Sequence, residues 1–127
     1  MVLASLGSVA MANSAEARAR SADQCPAEKV CIWQDYNYGN DFASIDGRTA
    51  QWSRLTGGEN CQAKNFNDCV SSVRNRTSVS YRLYEHFNYQ GDYIDICPGT
   101  ALNLPREWND RLSSSQPIGN GMSASCL

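Results

Sequence analysis

Asn67-Asp68-Cys69-Val70-Ser71-Ser72 and Asn109-Asp110-Arg111-Leu112-Ser113-Ser114 are two blocks of one design, 42 residues apart in a chain of 127 residues. Self-similarity at such a spacing is the mark of a duplicated unit. Each block brings together an amide, a carboxylate and two hydroxyls. Oxygen-only donors of this kind suit a hard cation such as Ca²⁺ better than zinc or copper. The competing reading is that Asn, Asp and Ser cap turns by bonding their own backbone, as they often do.

Working outward, each block follows an aromatic hairpin. In the later copy, Tyr84-Glu85-His86-Phe87-Asn88-Tyr89-Gln90-Gly91 leads into the alternating run Tyr93-Ile94-Asp95-Ile96, which predicts strand, tight turn, strand. Gly91 suits a backbone position with φ > 0. In the earlier copy, Trp33-Gln34-Asp35-Tyr36-Asn37-Tyr38-Gly39-Asn40 precedes Phe42-Ala43-Ser44-Ile45, with Asn40 where the other copy has glycine. Asn tolerates the left-handed region better than most residues, so the turn survives the change.

Aromatic, four residues, aromatic, one residue, glycine, then Asn/Asp-Asn/Asp-x-x-Ser/Thr-Ser: the pattern resembles the Greek-key motif of the calcium-binding microbial βγ-crystallins, over roughly residues 30–115. The opening Cys25-Pro26-Ala27-Glu28-Lys29-Val30-Cys31-Ile32-Trp33 resembles the start of the secreted peptidase inhibitor family typified by the Streptomyces metalloproteinase inhibitor. The resemblance implies an all-β fold, a βγ-crystallin-like sandwich of two Greek-key motifs, at about residues 30–75 and 79–115 of a single domain spanning 25–127. It also implies calcium shared crosswise between the motifs. One site would use Gln34, Ser71, Asp110 and Arg111, the other Glu85, Ser113, Asp68 and Cys69. Hydroxyls and carboxylates would bind through side chains, and Gln34, Glu85, Cys69 and Arg111 through backbone carbonyls. Gln34 departs from the family's acidic residue, which matters little if only its carbonyl binds. Cys69 is a stranger substitution, able to preorganise its carbonyl or to pull it away. One carboxylate per ion predicts weak binding, in the range of about 10⁻⁵ to 10⁻³ M.

The rest of the chain agrees with a β fold. From Val30 onward no convincing amphipathic helix stands out. Val79, Tyr81 and Leu83 alternate with Ser80, Arg82 and Tyr84, and turn signals fall at Asp46-Gly47, Gly57-Gly58, Pro98-Gly99 and Asn120-Gly121. The first copy is longer than the second by nine residues, which we place around residues 48–60. That stretch holds Trp52 and reads either as an interaction loop or as a tolerated surface insertion. The tail, residues 116–127, is rich in Gly and Ser and would be loosely held unless Cys126 anchors it.

A formal charge of −2, from 11 basic and 13 acidic side chains spread without runs, gives no reason to expect nucleic acid or a membrane as partner, and a monomer is expected. Six cysteines with a single histidine point to an oxidising compartment and up to three disulfides. A structural zinc site is the rival reading, weakened by the lack of a Cys-x-x-Cys pair. Fifteen connectivities are open to six cysteines; proximity in sequence favours Cys25 with Cys31, Cys61 with Cys69 and Cys97 with Cys126. Residues 1–17 read as a signal peptide whose start is either truncated or misassigned, since no Lys or Arg precedes the apolar stretch, and residues 18–24 as a disordered lead.

Nothing assembles a catalytic device. His86 is the one neutral-pH base and has no nucleophile elbow near it, and no two of Glu28, Glu59, Glu85 and Glu107 are singled out as a glycosidase pair. Two functions lead, ahead of a secreted toxin or cell-wall-active protein on the same scaffold, which no feature of the sequence selects. The chain is an inhibitor of extracellular peptidases, metalloproteases by analogy, with residues 25–31, 61–69 and 48–60 as candidate loops; or it is a calcium-stabilised extracellular domain that inhibits nothing.

Overall fold

A computed structural model describes residues 21–119 and 121–127. The expected signal peptide, most of the expected lead and Asn120 of the last turn signal lie outside these residues. Within them the chain is all-β, with seven strands: β1 (Val30–Asp35), β2 (Gly39–Ile45), β3 (Ser72–Asn75), β4 (Tyr81–His86), β5 (Gln90–Ile96), β6 (Ala101–Asn103) and β7 (Ser114–Pro117). Short 3₁₀ turns at Tyr36–Tyr38, Trp52–Arg54 and Arg106–Trp108 punctuate them.

The strands form two antiparallel sheets, ordered β2-β1-β3-β6 and β5-β4-β7. Each sheet takes a contribution from the other repeat. The later repeat lends β6 to the first sheet, where Leu102 pairs with Val73. The earlier repeat lends Thr49 to the second, exchanging two backbone hydrogen bonds with Ser115 at 2.8 and 3.0 Å. This exchange joins the Greek keys: neither sheet is complete without the other repeat.

The hairpins repeat residue for residue. Their positive-φ positions are Asn37 with Asn88, Tyr38 with Tyr89, and Asn40 (φ 64°) with Gly91 (φ 86°), so Asn40 takes up the left-handed turn expected of it. A Cβ on Gly91 would come within 2.6 Å of Glu85 Cγ and His86 Cδ2, so the later turn tolerates only glycine without a shift. Behind the first hairpin Trp33 is buried, edge-on to Tyr38 at 5.2 Å and stacked on Phe42 at 5.6 Å. Behind the second, Tyr84 lies 5.9 Å from both Tyr89 and Tyr93.

Between the sheets the core gathers Val30, Ile32, Ile45, Trp52, Phe66, Val70, Val73, Leu83, Ile96 and Leu112. Trp52 corrects the expectation for residues 48–60. Its ring is fully buried, its Nε1 donates to Ser115 Oγ at 2.9 Å, and its backbone N–H donates to Ser113, as Leu104 N–H does to Ser71. Trp52 is therefore the counterpart of Leu104 and a core residue. The extra length lies after it: the stretch from Trp52 to Ser71 is about twice as long as that from Leu104 to Ser113. Part of this stretch is itself anchored, by Phe66 in the core and by Gly58 N–H donating to Asp41 Oδ2 at 2.7 Å.

All six cysteines are paired, as Cys25–Cys31, Cys61–Cys69 and Cys97–Cys126, which leaves no thiolate for zinc. The tail is held. Besides the Cys97–Cys126 bridge, Leu127 N–H donates to the Asp95 carbonyl, Cys97 N–H donates to the Leu127 carbonyl, both at 2.8 Å, and Ser123 Oγ donates to Asp95 Oδ2. The end of the expected disordered lead is also tied down: Arg74 donates to the Ala22 carbonyl at 2.7 Å and pairs with Asp23 at 2.9 Å.

Candidate functional site

The two hexapeptide blocks run against each other. Asp68 N–H donates to the Leu112 carbonyl and Asp110 N–H to the Val70 carbonyl, each at 3.0 Å, so each block holds the other at equivalent points. Each is also tied to the first strand of its own hairpin: Ser71 N–H donates to Trp33 at 2.9 Å and Ser113 N–H to Tyr84 at 2.8 Å. Asp68 and Asp110 both sit at positive φ, 53° and 57°, a conformation that Asp and Asn adopt more readily than other side chains. The result is a crosswise pairing. Ser71 Oγ donates to Asp110 Oδ1 at 3.5 Å and Ser113 Oγ to Asp68 Oδ1 at 3.2 Å.

The surroundings are rich in acceptors. Asn67 and Asn109 each turn their Nδ2 toward the neighbouring carboxylate, at 3.4 and 3.3 Å, leaving their Oδ1 atoms buried and without a hydrogen-bond partner. Gln34 Oε1 is buried and unpartnered as well. Burial pushes the Asp110 carboxyl above the usual carboxylate range; the Ser71 hydroxyl opposes this, and the negative charges of Asp35 and Asp68 add to it. Buried oxygen acceptors and crowded negative charge are the chemistry that an oxygen-seeking cation relieves. Among the described residues no three side chains of His, Cys, Asp or Glu stand together as a metal cluster, so any such ion would need hydroxyl, carbonyl and water oxygens to fill its shell.

Of the first expected set, Ser71 and Asp110 are in contact, and Gln34 follows the residue whose carbonyl fixes Ser71. Arg111 has a side-chain role that the sequence did not disclose. Its Nε and Nη2 bind Glu85 Oε2 at 2.9 and 2.7 Å, its Nη2 reaches Asp92 at 3.4 Å, and its guanidinium lies 4.5 Å over the Trp108 ring. Of the second set, Ser113 and Asp68 are in contact beside Glu85, and a cavity of about 160 Å³ opens there, lined by Asn67, Asp68, Glu85, His86, Phe87 and Ser113. Cys69, the fourth member, is nearly buried and bridged to Cys61. The Asp92 backbone N–H and the Arg111 guanidinium hold the Glu85 carboxyl below its ordinary range. The two crossings therefore differ, since only the second has an acidic side chain at the post-aromatic position, and that charge is already answered by arginine. Asp35, missed by sequence reasoning, adds negative charge at the first crossing; being next to Gln34 was its only signal.

His86 ends β4 with its side chain largely exposed, 3.5 Å from Glu85. It is a surface residue at the mouth of the second crossing.

A βγ-crystallin domain from Flavobacterium johnsoniae superposes with a TM-score of 0.57 at 26% identity, covering 74% of this chain and 98% of that one. A βγ-crystallin domain from Clostridium beijerinckii gives 0.56 at 20% identity over 71% of this chain and 97% of its own. A βγ-crystallin from Ciona intestinalis gives 0.55 at 19% identity over 71% and 99%. No curated protein matches the chain. The model of peptidase inhibitor family I36 matches residues 18–96, from the lead through both hairpins and the first hexapeptide block. Fold and family are those of a protein that is not an enzyme. On that match, over more than half of its length, the chain belongs to peptidase inhibitor family I36, carried on a βγ-crystallin fold.

Proposed function

We propose that the chain is a secreted inhibitor of extracellular peptidases, metalloproteases first among them, and that it carries Ca²⁺ at two sites shared between its repeats. The family match over residues 18–96 carries the inhibitory reading. The disulfide-closed segments support it, because a loop held rigid before contact loses less entropy on binding. Cys25–Cys31 and Cys61–Cys69 bound two such segments, and exposed Gln62, Ala63 and Lys64 lie in the second between a disulfide and the buried Phe66. Three disulfides fit an extracellular, oxidising setting.

Titration of the purified, oxidised chain against a panel of secreted peptidases, including a thermolysin-like metalloprotease, at fixed millimolar calcium tests this. The expected result is stoichiometric inhibition of one class with the chain left uncut. Digestion as an ordinary substrate, or no inhibition of any class, would end the inhibitory reading.

The crosswise Ser71–Asp110 and Ser113–Asp68 contacts support the calcium reading. Asp110 and Ser71 would hold one ion with the carbonyls of Gln34 and Arg111; Asp68 and Ser113 would hold the other with those of Glu85 and Cys69. Bound calcium would neutralise the crowded carboxylates. The residues themselves bring the two blocks into register, through Asp68 N–H and Asp110 N–H. The same contacts favour a second reading, a calcium-stabilised extracellular domain that inhibits nothing. An ion that binds only the native state would add about 1.4 to 2.7 kcal/mol at 10 to 100 times its Kd. Calorimetry with Asp68→Ala and Asp110→Ala together is expected to show calcium binding lost; retained binding would remove the crosswise assignment.

A further inference from the structure

The two repeats treat their outer sheet edges differently. In an antiparallel strand the N–H and C=O of one residue point to the same side, and residues alternate between the two neighbours. On β1, the carbonyls of Lys29, Trp33 and Asp35 are taken from the β3 side, by Arg76, Ser71 and Ser72 respectively. Val30 and Ile32 therefore pair with Ile45 and Ala43, and the backbone groups of Phe42, Ser44 and Asp46 face away from the sheet. Phe42 N–H is answered by Asp41 Oδ1 at 3.0 Å. No backbone partner is present for Ser44 or for Asp46 N–H among the described residues.

The same alternation in the later repeat turns Tyr93, Asp95 and Cys97 outward from β5, and there the edge is filled. Leu127 N–H donates to the Asp95 carbonyl and Cys97 N–H donates to the Leu127 carbonyl, both at 2.8 Å. By the repeat, Asp95 corresponds to Ser44 and Cys97 to Asp46. The molecule thus contains one worked example of chain added to this edge, through the two backbone bonds of Leu127, and one vacant copy. The vacant copy faces a groove of about 470 Å³ between β2 and the turn after Trp52, lined by Phe42, Ala43, Ser44, Arg54, Leu55 and Thr56. Ser44 and Arg54 are exposed, and Arg54 has no ion-pair partner among the described residues.

We propose that the β2 edge is a peptide-binding site: an extended segment of a partner protein adds to the sheet there, as the tail adds to β5, with an acidic side chain set against Arg54. One residue of that segment donates its N–H to the Ser44 carbonyl and accepts from Asp46 N–H, the residue two before it accepts from the outward Ser44 N–H, and Leu55 and Phe42 flank its apolar neighbours. Main-chain bonds supply affinity in such strand addition and side-chain contacts supply preference. Among the described residues Arg54 is the one cation lining the groove, so it sets the sign of that preference. The site is separate from the hexapeptide crossings and does not rest on the inhibitory reading.

The test is a titration of the ¹⁵N-labelled, oxidised chain with acetyl-Thr-Val-Glu-Val-Thr-amide and with its Lys counterpart, followed by amide chemical shifts. Saturable shifts are expected at Ser44, Asp46 and residues 54–56, with those at 93–97 unmoved. The Glu peptide should bind about threefold more tightly than the Lys peptide, the scale of one exposed ion pair. Arg54→Glu should reverse that order. Ser44→Pro removes an outward N–H that no ladder bond uses, so the fold should stand, with an unchanged melting curve, while binding is lost. Shifts mapping elsewhere, no saturable shift with either peptide, or binding undiminished in Ser44→Pro would overturn the proposal. So would shifts at Ser44 and Asp46 that follow protein concentration alone, since a second copy would then be the occupant.

Discussion

The first repeat lends the core a tryptophan and leaves its sheet edge open; the second lends a leucine and has its edge sealed by the tail. Both are built on one hairpin and one hexapeptide. A duplicated motif therefore fixes local geometry, while the segments between its landmarks decide how each copy is finished. Trp52 and Leu104 occupy equivalent places, each donating a backbone hydrogen bond to the fifth residue of the other repeat's block. The sharpest way to break the equivalence is to truncate both. Trp52→Ala is expected to cost about 3 to 5 kcal/mol and Leu104→Ala about 2 to 3, read by urea unfolding, because the tryptophan leaves the larger cavity and orphans Ser115 Oγ. Equal losses would mean that Trp52 is less buried in solution than its packing implies.

Removing single disulfides tests the edges. Cys97–Cys126 closes a separation of 29 residues and Cys25–Cys31 one of 6, so chain entropy predicts losses of about 3 to 4 and about 2 kcal/mol respectively for the paired Cys→Ser variants. The first variant should also unmask the Asp95 edge: amide exchange at position 97 should accelerate toward that at Asp46, making the two repeats alike. Unchanged protection at position 97 would show that the backbone bonds to Leu127 suffice alone.

At the crossings the expected effects on stability are smaller, and their sign follows from charge. The Asp110 carboxyl is raised in the folded state, so the folded chain holds that proton more tightly than the unfolded chain. Stability of the calcium-free protein should therefore fall as pH rises from the ordinary Asp range through the raised value. Asp110→Asn should abolish that slope and leave the calcium-free protein no less stable at neutral pH, while weakening calcium binding at its site by about tenfold or more through loss of a charged ligand. Thermal melts with chelator and with calcium separate the two effects. The smallest effect belongs to the hairpin turns. Exchanging them as Asn40→Gly and Gly91→Asn should be uneven, near neutral in the first repeat and costing about 1 kcal/mol in the second, where the new Cβ meets Glu85 and His86. Equilibrium denaturation of the two variants reads the difference.

Much of this was legible in the chain because it is local. The aromatic spacing and the positive-φ residues specify the hairpins within about ten positions, and the cysteines bridge as their nearness in sequence suggested. Trp52 was misplaced because a core residue in a short 3₁₀ turn carries no periodic pattern, and length differences show only that an insertion exists. Arg111 was assigned a carbonyl and turned out also to have a side-chain role. Its partners Glu85 and Asp92 lie far back in sequence and come near only when the second hairpin folds over its block.

By itself the sequence determined the repeat, the all-β hairpins, the oxygen-donor blocks and the family, since each is written in residues close enough to be constrained by backbone conformation alone. Tertiary structure decided where the Arg111 guanidinium goes, which tryptophan enters the core, and which sheet edge stays open. Those outcomes depend on contacts between segments tens of residues apart, where closure entropy and packing, not local preference, select the partner.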